Sequence, residues 1–253
     1  MQHSLRGYTQ IQENGRTAMV RVRYQAAVAA ALLREEGCRP FATSGGRGIV
    51  MRFAVEDGSA ILRTYRRGGA VRRVLPEGWC WGLRPLQELM VLDHLHRSGL
   101  SVPEPLGAAW WRKGLLLHGR IAMRCIEAVD LLEYLSSRPE AADYWLEQTG
   151  RTIRAMHDLG VYHADLQVRN VLIAEDKPYL IDFDRARLGE MSDEARARNL
   201  LRLRRSFQKH GLESAWFAAV CRGYGIKALP GWLSSAYSVK AQLTDLLSGR
   251  GAR

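Results

Sequence analysis

The chain has 253 residues, 47% hydrophobic and 25% charged, a balance that supports one large core or two small ones and excludes disorder as the main state. Thirty-seven basic against twenty-six acidic residues leave a net charge of +11, and only five of the basic residues are lysines. Four scattered cysteines without a C-x-x-C pair point to a reduced cytosolic protein without a structural metal. The start lacks an apolar signal region, and the longest uncharged apolar stretch, Gln25 to Leu33, is too short to span a bilayer, so neither export nor a transmembrane segment is expected.

In chain order, β-type runs are expected at Ala18 to Arg23, Gly48 to Val55, Ser59 to Tyr65 and Leu115 to Met123, with helices at Ala26 to Glu36 and Leu86 to His96. Between the first helix and the second of these strands lies a glycine-rich turn containing Gly45, Gly46, Arg47 and Gly48. It is either a plain hairpin or a place where backbone amides approach a polyphosphate. Pro85 suits the first turn of the second helix, and Glu88 lies beside its apolar stripe of Leu86, Leu89, Met90 and Leu95.

The texture changes near residue 125. Helices then dominate, at Leu131 to Ser136, Tyr144 to Leu159, Asp193 to His210, Glu213 to Tyr224 and Leu233 to Leu247, interrupted by a hairpin of Val171 to Ala174 and Tyr179 to Phe183. The expectation is an α+β chain of two lobes, 1–124 rich in sheet and 125–253 rich in helix, with a ligand cleft between them.

His163-Ala164-Asp165-Leu166-Gln167-Val168-Arg169-Asn170 precedes the first hairpin strand, and Asp182-Phe183-Asp184 closes the second. A hairpin brings its two outer ends together, so Asp165, Asn170 and Asp182 should share one loop edge. Oxygen donors of this kind suit Mg²⁺, and a carboxylate can also accept a hydroxyl proton. The pattern resembles the protein-kinase-like fold in its H-x-D-L-x-x-x-N loop and Asp-Phe motif. That resemblance implies Asp165 as the base or nucleophile-orienting group and Asn170 and Asp182 as metal ligands. His163 is expected to support the loop backbone.

Such folds usually carry a strand lysine paired with a helix glutamate, but no lysine precedes residue 113. Arg63 occupies the equivalent slot and Glu88 the place of its partner; guanidinium keeps the charge but is longer and planar.

A closer resemblance covers about residues 44 to 210. It is carried by Gly46-Arg47-Gly48, the run Leu62-Arg63-Thr64-Tyr65-Arg66-Arg67-Gly68-Gly69, Arg84-Pro85-Leu86-Gln87-Glu88-Leu89, Val102-Pro103-Glu104-Pro105, His163-Ala164-Asp165-Leu166, Ile181-Asp182-Phe183-Asp184-Arg185 and the segment from Asn199 to Ser206. In these the chain is similar to 3-deoxy-D-manno-octulosonic acid (Kdo) kinases of the lipopolysaccharide kinase group. The resemblance implies ATP- and Mg²⁺-dependent phosphorylation of a Kdo hydroxyl on a lipid A precursor, with the protein peripheral at the cytoplasmic face of a bacterial inner membrane. Asp184 stands where protein kinases have glycine, and no Ala-Pro-Glu element follows, which argues against a peptide-docking platform.

The basic surplus sits in residues 61–84 and 196–209, either as solvated faces or as surfaces for phosphates. Arg66, Arg67, Arg72 and Arg73 suit an anionic lipid surface, and Trp79 and Trp81 belong either at that interface or packed on the Glu88 helix. The Trp110-Trp111 pair reads as lobe packing. Asn199 and Arg202 have the spacing to face the cleft together. Competing readings are a small-molecule kinase of aminoglycoside or fructosamine type, disfavoured by the arginine excess, and a non-catalytic kinase-fold scaffold. No nucleic-acid motif accompanies the charge, so no nucleic-acid partner is expected.

Overall fold

The computed structural model describes residues 5–41, 50–65, 79, 82–174 and 176–230. Seven strands, β1 (Tyr8–Glu13), β2 (Arg16–Arg21), β3 (Arg39–Phe41), β4 (Val50–Val55), β5 (Gly58–Thr64), β6 (Pro105–Lys113) and β7 (Leu116–Arg124), form one antiparallel sheet in the order β1-β2-β6-β7-β5-β4-β3. Helix α1 (Gln25–Arg34) follows β2, and α2 (Arg84–Arg97) precedes β6.

The two helices cover opposite faces of this sheet. Side chains alternate along β5 and its neighbour β7, so each strand feeds both faces. Ala60, Leu62 and Ala122 pack in the cluster that contains Val28, Ala31 and Leu32 of α1. Ile61, Tyr65, Ile121 and Met123 pack in the cluster that contains Val91, Leu92 and Leu95 of α2. Arg63 lies between Ile61 and Tyr65 in this alternation, and the strand therefore delivers it to the α2 side.

Of the strands absent from the sequence expectation, β1 and β6 are the longest. The first is an edge strand with one large aliphatic residue, Ile11, and the second opens Pro-Leu-Gly-Ala-Ala, small residues without β propensity. Burial selects those residues in β6: a Cβ at Gly107 would meet the Met19 carbonyl oxygen at 2.7 Å and side-chain carbons of Leu32 and Val28 at 3.1 Å. Close seating of α1 on the sheet thus requires glycine. Trp111 belongs to this strand, with the guanidinium carbons of Arg16 and Arg120 each 4.9 Å from its ring.

Beyond Arg124 come β8 (Val129–Asp130), α3 (Leu131–Ser137), α4 (Ala142–Asp158), β9 (Val161–Tyr162), β10 (Val171–Ile173), β11 (Pro178–Leu180), β12 (Arg187–Leu188), α5 (Asp193–Lys209) and α6 (Ser214–Tyr224). The expected hairpin forms as β10 and β11, with Val171 opposite Leu180. Asp130 accepts the Glu133 backbone N–H at 2.9 Å to start α3, and Ser192 does the same from Ala195 to start α5. The α2-side cluster continues without a break into Met156, Val161, Leu166, Leu180 and Phe183 of this second lobe. Helix α2 therefore belongs to the packing of both lobes and carries Glu88 to their boundary.

The expected helix from Leu233 to Leu247 lies outside the described residues, as do the turn with Gly45, Gly46, Arg47 and Gly48, the arginines at 66, 67, 72 and 73, and Trp81. Trp79 is described and buried, pairing with Leu117 in an isolated bridge, its ring 5.8 Å from that of Tyr65. Among the described residues no helix is long and apolar enough to cross a membrane.

Candidate active site

Residues 163–170 run from β9 to β10 over the flank of α5. His163 is fully buried; its Nδ1 accepts the Asp165 backbone N–H at 3.1 Å, so its proton sits on Nε2, which donates to the Ile181 carbonyl at 2.9 Å. Burial depresses its pKa, and the ring is neutral. Asn199 holds the same residue from below, its Oδ1 accepting the His163 N–H at 3.2 Å and its Nδ2 donating to the His163 carbonyl at 2.6 Å. That Oδ1 also lies 2.9 Å from Nε2 of His157, whose Nδ1 is 2.8 Å from the Tyr224 hydroxyl. Desolvation drives His157 down to about 4. Two turns along α5, Ser206 Oγ accepts the Val168 N–H at 3.1 Å.

Above these anchors Asp165 is exposed, and its Oδ2 accepts from Gln167 Nε2 at 3.0 Å. Asn170 donates from Nδ2 to the Asp165 carbonyl at 2.7 Å, and among the described residues no hydrogen bond engages its Oδ1. Arg169 is turned away, tied to the buried Asp130 at 3.0 Å.

The second loop follows β11. Ile181 donates its N–H to the Asn170 carbonyl at 3.0 Å, which joins it to the first. Asp182 then takes a left-handed backbone conformation with φ 63°, a strain on the order of 1 kcal/mol of the kind that collects at functional sites. Phe183 is buried with its ring 4.7 Å from that of His163.

Arg63 reaches this loop from β5. Its Nη1 donates to Asp182 Oδ1, and its Nη2 sits 2.6 Å and 2.5 Å from the two oxygens of Glu88. The Tyr65 hydroxyl donates to Glu88 as well. Burial lifts the Glu88 carboxyl to about 7 against the opposing pull of the guanidinium. Burial also pushes Asp182 upward, but Arg63 outweighs it and holds that carboxyl below the usual range. One turn before Glu88 on α2, Arg84 makes a two-pronged pair with Asp184, with its guanidinium 5.5 Å from the Tyr65 ring and 5.4 Å from that of Trp79. The two lobes are thus clasped at the cleft by Arg63–Asp182 and Arg84–Asp184.

The arrangement offers an exposed carboxylate at Asp165, two oxygen donors at Asn170 and Asp182, and a guanidinium fixed by a buried acid. The family described as Lipopolysaccharide kinase (Kdo/WaaP) matches residues 33–224, which include every one of these groups. The chain belongs to the lipopolysaccharide kinase (Kdo/WaaP) family. Among its Kdo/WaaP relatives, the 3-deoxy-D-manno-octulosonic acid kinase of Vibrio cholerae serotype O1 is 36% identical over 170 residues, covering 65% of this chain and 72% of that protein. The enzyme of that name from Xylella fastidiosa strain 9a5c is 37% identical over 179 residues, 68% of this chain and 72% of its own. A solved structure titled WaaP in complex with acyl carrier protein aligns with a TM-score of 0.53 at 19% identity, over 87% of this chain and 88% of that one. The fold is therefore the bilobal protein-kinase-like one, and membership of the Kdo/WaaP family makes the chain a phosphotransferase.

Asp165, Asn170, Asp182, Arg63 and Glu88 are connected in this Kdo/WaaP member through the contacts just described. Asn199 and Arg202 do share a face of α5, but Asn199 is buried beneath the first loop rather than facing the cleft, because the loop's backbone needs its amide. Sequence reasoning assigned no part to Gln167, Tyr65, Ser206 or the Arg84–Asp184 pair. Arg84 shares a helix face with Glu88, four residues on, which sends both toward the cleft but gives no sign of Asp184.

Proposed function

We propose that the chain transfers the γ-phosphoryl group of ATP to a hydroxyl of Kdo on a Kdo-bearing lipid A precursor, during assembly of the lipopolysaccharide core. The carrying observation is the joining of Arg63, Glu88 and Asp182 beside Asp165 in a chain whose relatives are Kdo kinases. ATP and Mg²⁺ fit the donor set: Asn170 Oδ1 and the Asp182 carboxylate are the sparse oxygen ligands Mg²⁺ accepts when phosphates and water complete its shell. Bound, they would supply the phosphoryl group and neutralise its charge.

Asp165 orients the acceptor hydroxyl and takes its proton, with its carboxylate steadied by Gln167 and its backbone by His163. Arg63, aimed by Glu88, grips the nucleotide phosphates. Gly45, Gly46, Arg47 and Gly48 of the first lobe, which ends at residue 124, are the sequence's further candidates for binding those phosphates. An acceptor at an anionic bilayer accounts for Arg66, Arg67, Arg72 and Arg73, since each cation near such a surface contributes about 1 kcal/mol. The protein in this reading works as a peripheral enzyme at the cytoplasmic face of the inner membrane.

The test is incubation with ATP, Mg²⁺ and Kdo-bearing lipid A precursor, with ADP release and product mass followed together. Gain of one phosphate on the Kdo residue is expected. Phosphorylation of aminoglycosides with none on the lipid would transfer the chain to the small-molecule kinases.

A further inference from the structure

Among the described residues many arginines are held in ion pairs. Arg21, Arg34, Arg52, Arg63, Arg84, Arg120, Arg124, Arg154, Arg169, Arg196, Arg198 and Arg222 all meet a carboxylate within 4 Å. Arg202 departs from that habit. It is exposed, and among the described residues it has no hydrogen bond or salt bridge.

Its place on α5 gives this meaning. Asn199 fastens His163 and Ser206 fastens Val168, three residues before Arg202 and four residues after it. Residues three and four apart share a helix face, so Arg202 rises between the two fastenings, where the loop carries Asp165. The proximity is felt electrically, because the Arg202 charge is among the causes that lower the basicity of His163, behind burial. Arg185 and Arg187, on the segment leaving Asp184, are also exposed and without an acidic partner among the described residues. Arg187 lies opposite Tyr162 at the start of the Asp165 loop, so uncommitted positive charge flanks that loop, whereas Arg63 and Arg84 are committed to ion pairs.

We propose that Arg202 is the specificity residue that receives the carboxylate of the sugar-acid acceptor, an inference that rests on the Kdo kinase reading above. A ring whose hydroxyl lies at Asp165 presents its own carboxylate within a few ångströms of that hydroxyl. A guanidinium takes a carboxylate by two parallel hydrogen bonds. The lipid phosphates lie farther along the acceptor and are the alternative source of anionic oxygens.

The experiment measures kcat and KM for wild type, Arg202→Gln and Arg202→Lys on three acceptors: Kdo-bearing lipid A precursor, the same compound with the Kdo carboxylate converted to a carboxamide, and the same compound with the lipid phosphates removed. Arg112→Gln, an exposed arginine at the far end of β6, controls for net charge. Arg202→Gln should raise the acceptor KM roughly ten- to a hundredfold, leave the KM for ATP unchanged, and treat acid and carboxamide alike. Wild type should prefer the acid, and Arg202→Lys should regain part of that preference. A purely structural role would lower activity on all three acceptors equally and keep the acid preference, which overturns the proposal. Loss of discrimination against the dephosphorylated acceptor alone also overturns it, by assigning Arg202 to lipid phosphate. If wild type phosphorylates none of the three, the functional reading falls first and this inference with it.

Discussion

The two loops that meet at the cleft are held by different chemistry. The first, carrying Asp165, is fixed from beneath by neutral hydrogen bonds of His163, Asn199 and Ser206, nearly all buried. The second, carrying Asp182 and Asp184, is fixed from the opposite lobe by Arg63 and Arg84. Neutral bonds in a dry interior have no competitor and keep their partners when a ligand arrives. Ion pairs at a cleft exchange partners with any ligand that brings charge of its own, and a nucleotide with its metal brings a great deal. In the proposed reaction the fixed part would position the reacting hydroxyl, and the exchangeable part would answer to the nucleotide.

The largest effects should come from the carboxylates that both loops present. Asp165→Asn and Asp182→Asn each keep the shape and remove the charge, and turnover should fall on the order of a thousandfold with circular dichroism unchanged. Near wild-type turnover in either purified variant would sink the catalytic assignment. Arg63→Ala should raise the KM for ATP more than tenfold while leaving the acceptor KM in place; unchanged ATP kinetics would show that another cation holds the phosphates.

Asn199→Leu strikes the neutral side. It strands the His163 N–H and carbonyl and the His157 ring together, and stability should drop by about 3 kcal/mol. Because no net charge is involved, urea unfolding should give the same loss at low and high salt. A loss that shrinks with salt would show that charge, not hydrogen bonding, holds the first loop.

Acid reads the same region. His157 has a folded pKa of about 4 against an ordinary 6.5, because burial disfavours its charged form. Above pH 6.5 it is neutral in both states and contributes no pH dependence. Below that the unfolded chain takes the proton first, and stability falls until about pH 4, by up to roughly 3 kcal/mol. His163 shifts in the same direction. His157→Gln should flatten the stability curve over this window; an equally steep curve would place the acid sensitivity elsewhere.

The smallest effect belongs to the charged side. Asp184→Asn breaks a partly exposed pair with Arg84 and should cost about 1 kcal/mol at low salt and almost nothing at high salt. A salt-independent loss of several kcal/mol would erase the distinction between the two loops.

Much of this site was legible because its chemistry is written in short motifs: Asp165 to Asn170, Asp182, and Arg63 two residues from Tyr65 on a strand. What was illegible has a common cause. Asn199 looks like a polar residue on a basic helix, and only the arrival of a loop on its face makes it a buried anchor. Arg84 and Asp184 are 100 residues apart, so nothing local announces their pairing. Strand β6 opens with small residues that no propensity favours, and only the close seating of α1 at Gly107 accounts for them. In each case the partner lies far along the chain, and tertiary contact decides.

Ile181 contributes only its backbone to the site, donating to the Asn170 carbonyl and accepting from His163. Both loops take their height from this one residue. Arg63 reaches the site from β5, but the interval between Asp165 and Asp182 is gauged entirely within the second lobe. Evolution can then drift the side chain at position 181 among apolar types without detuning the enzyme, and the one residue it must refuse there is proline, which has no N–H to give.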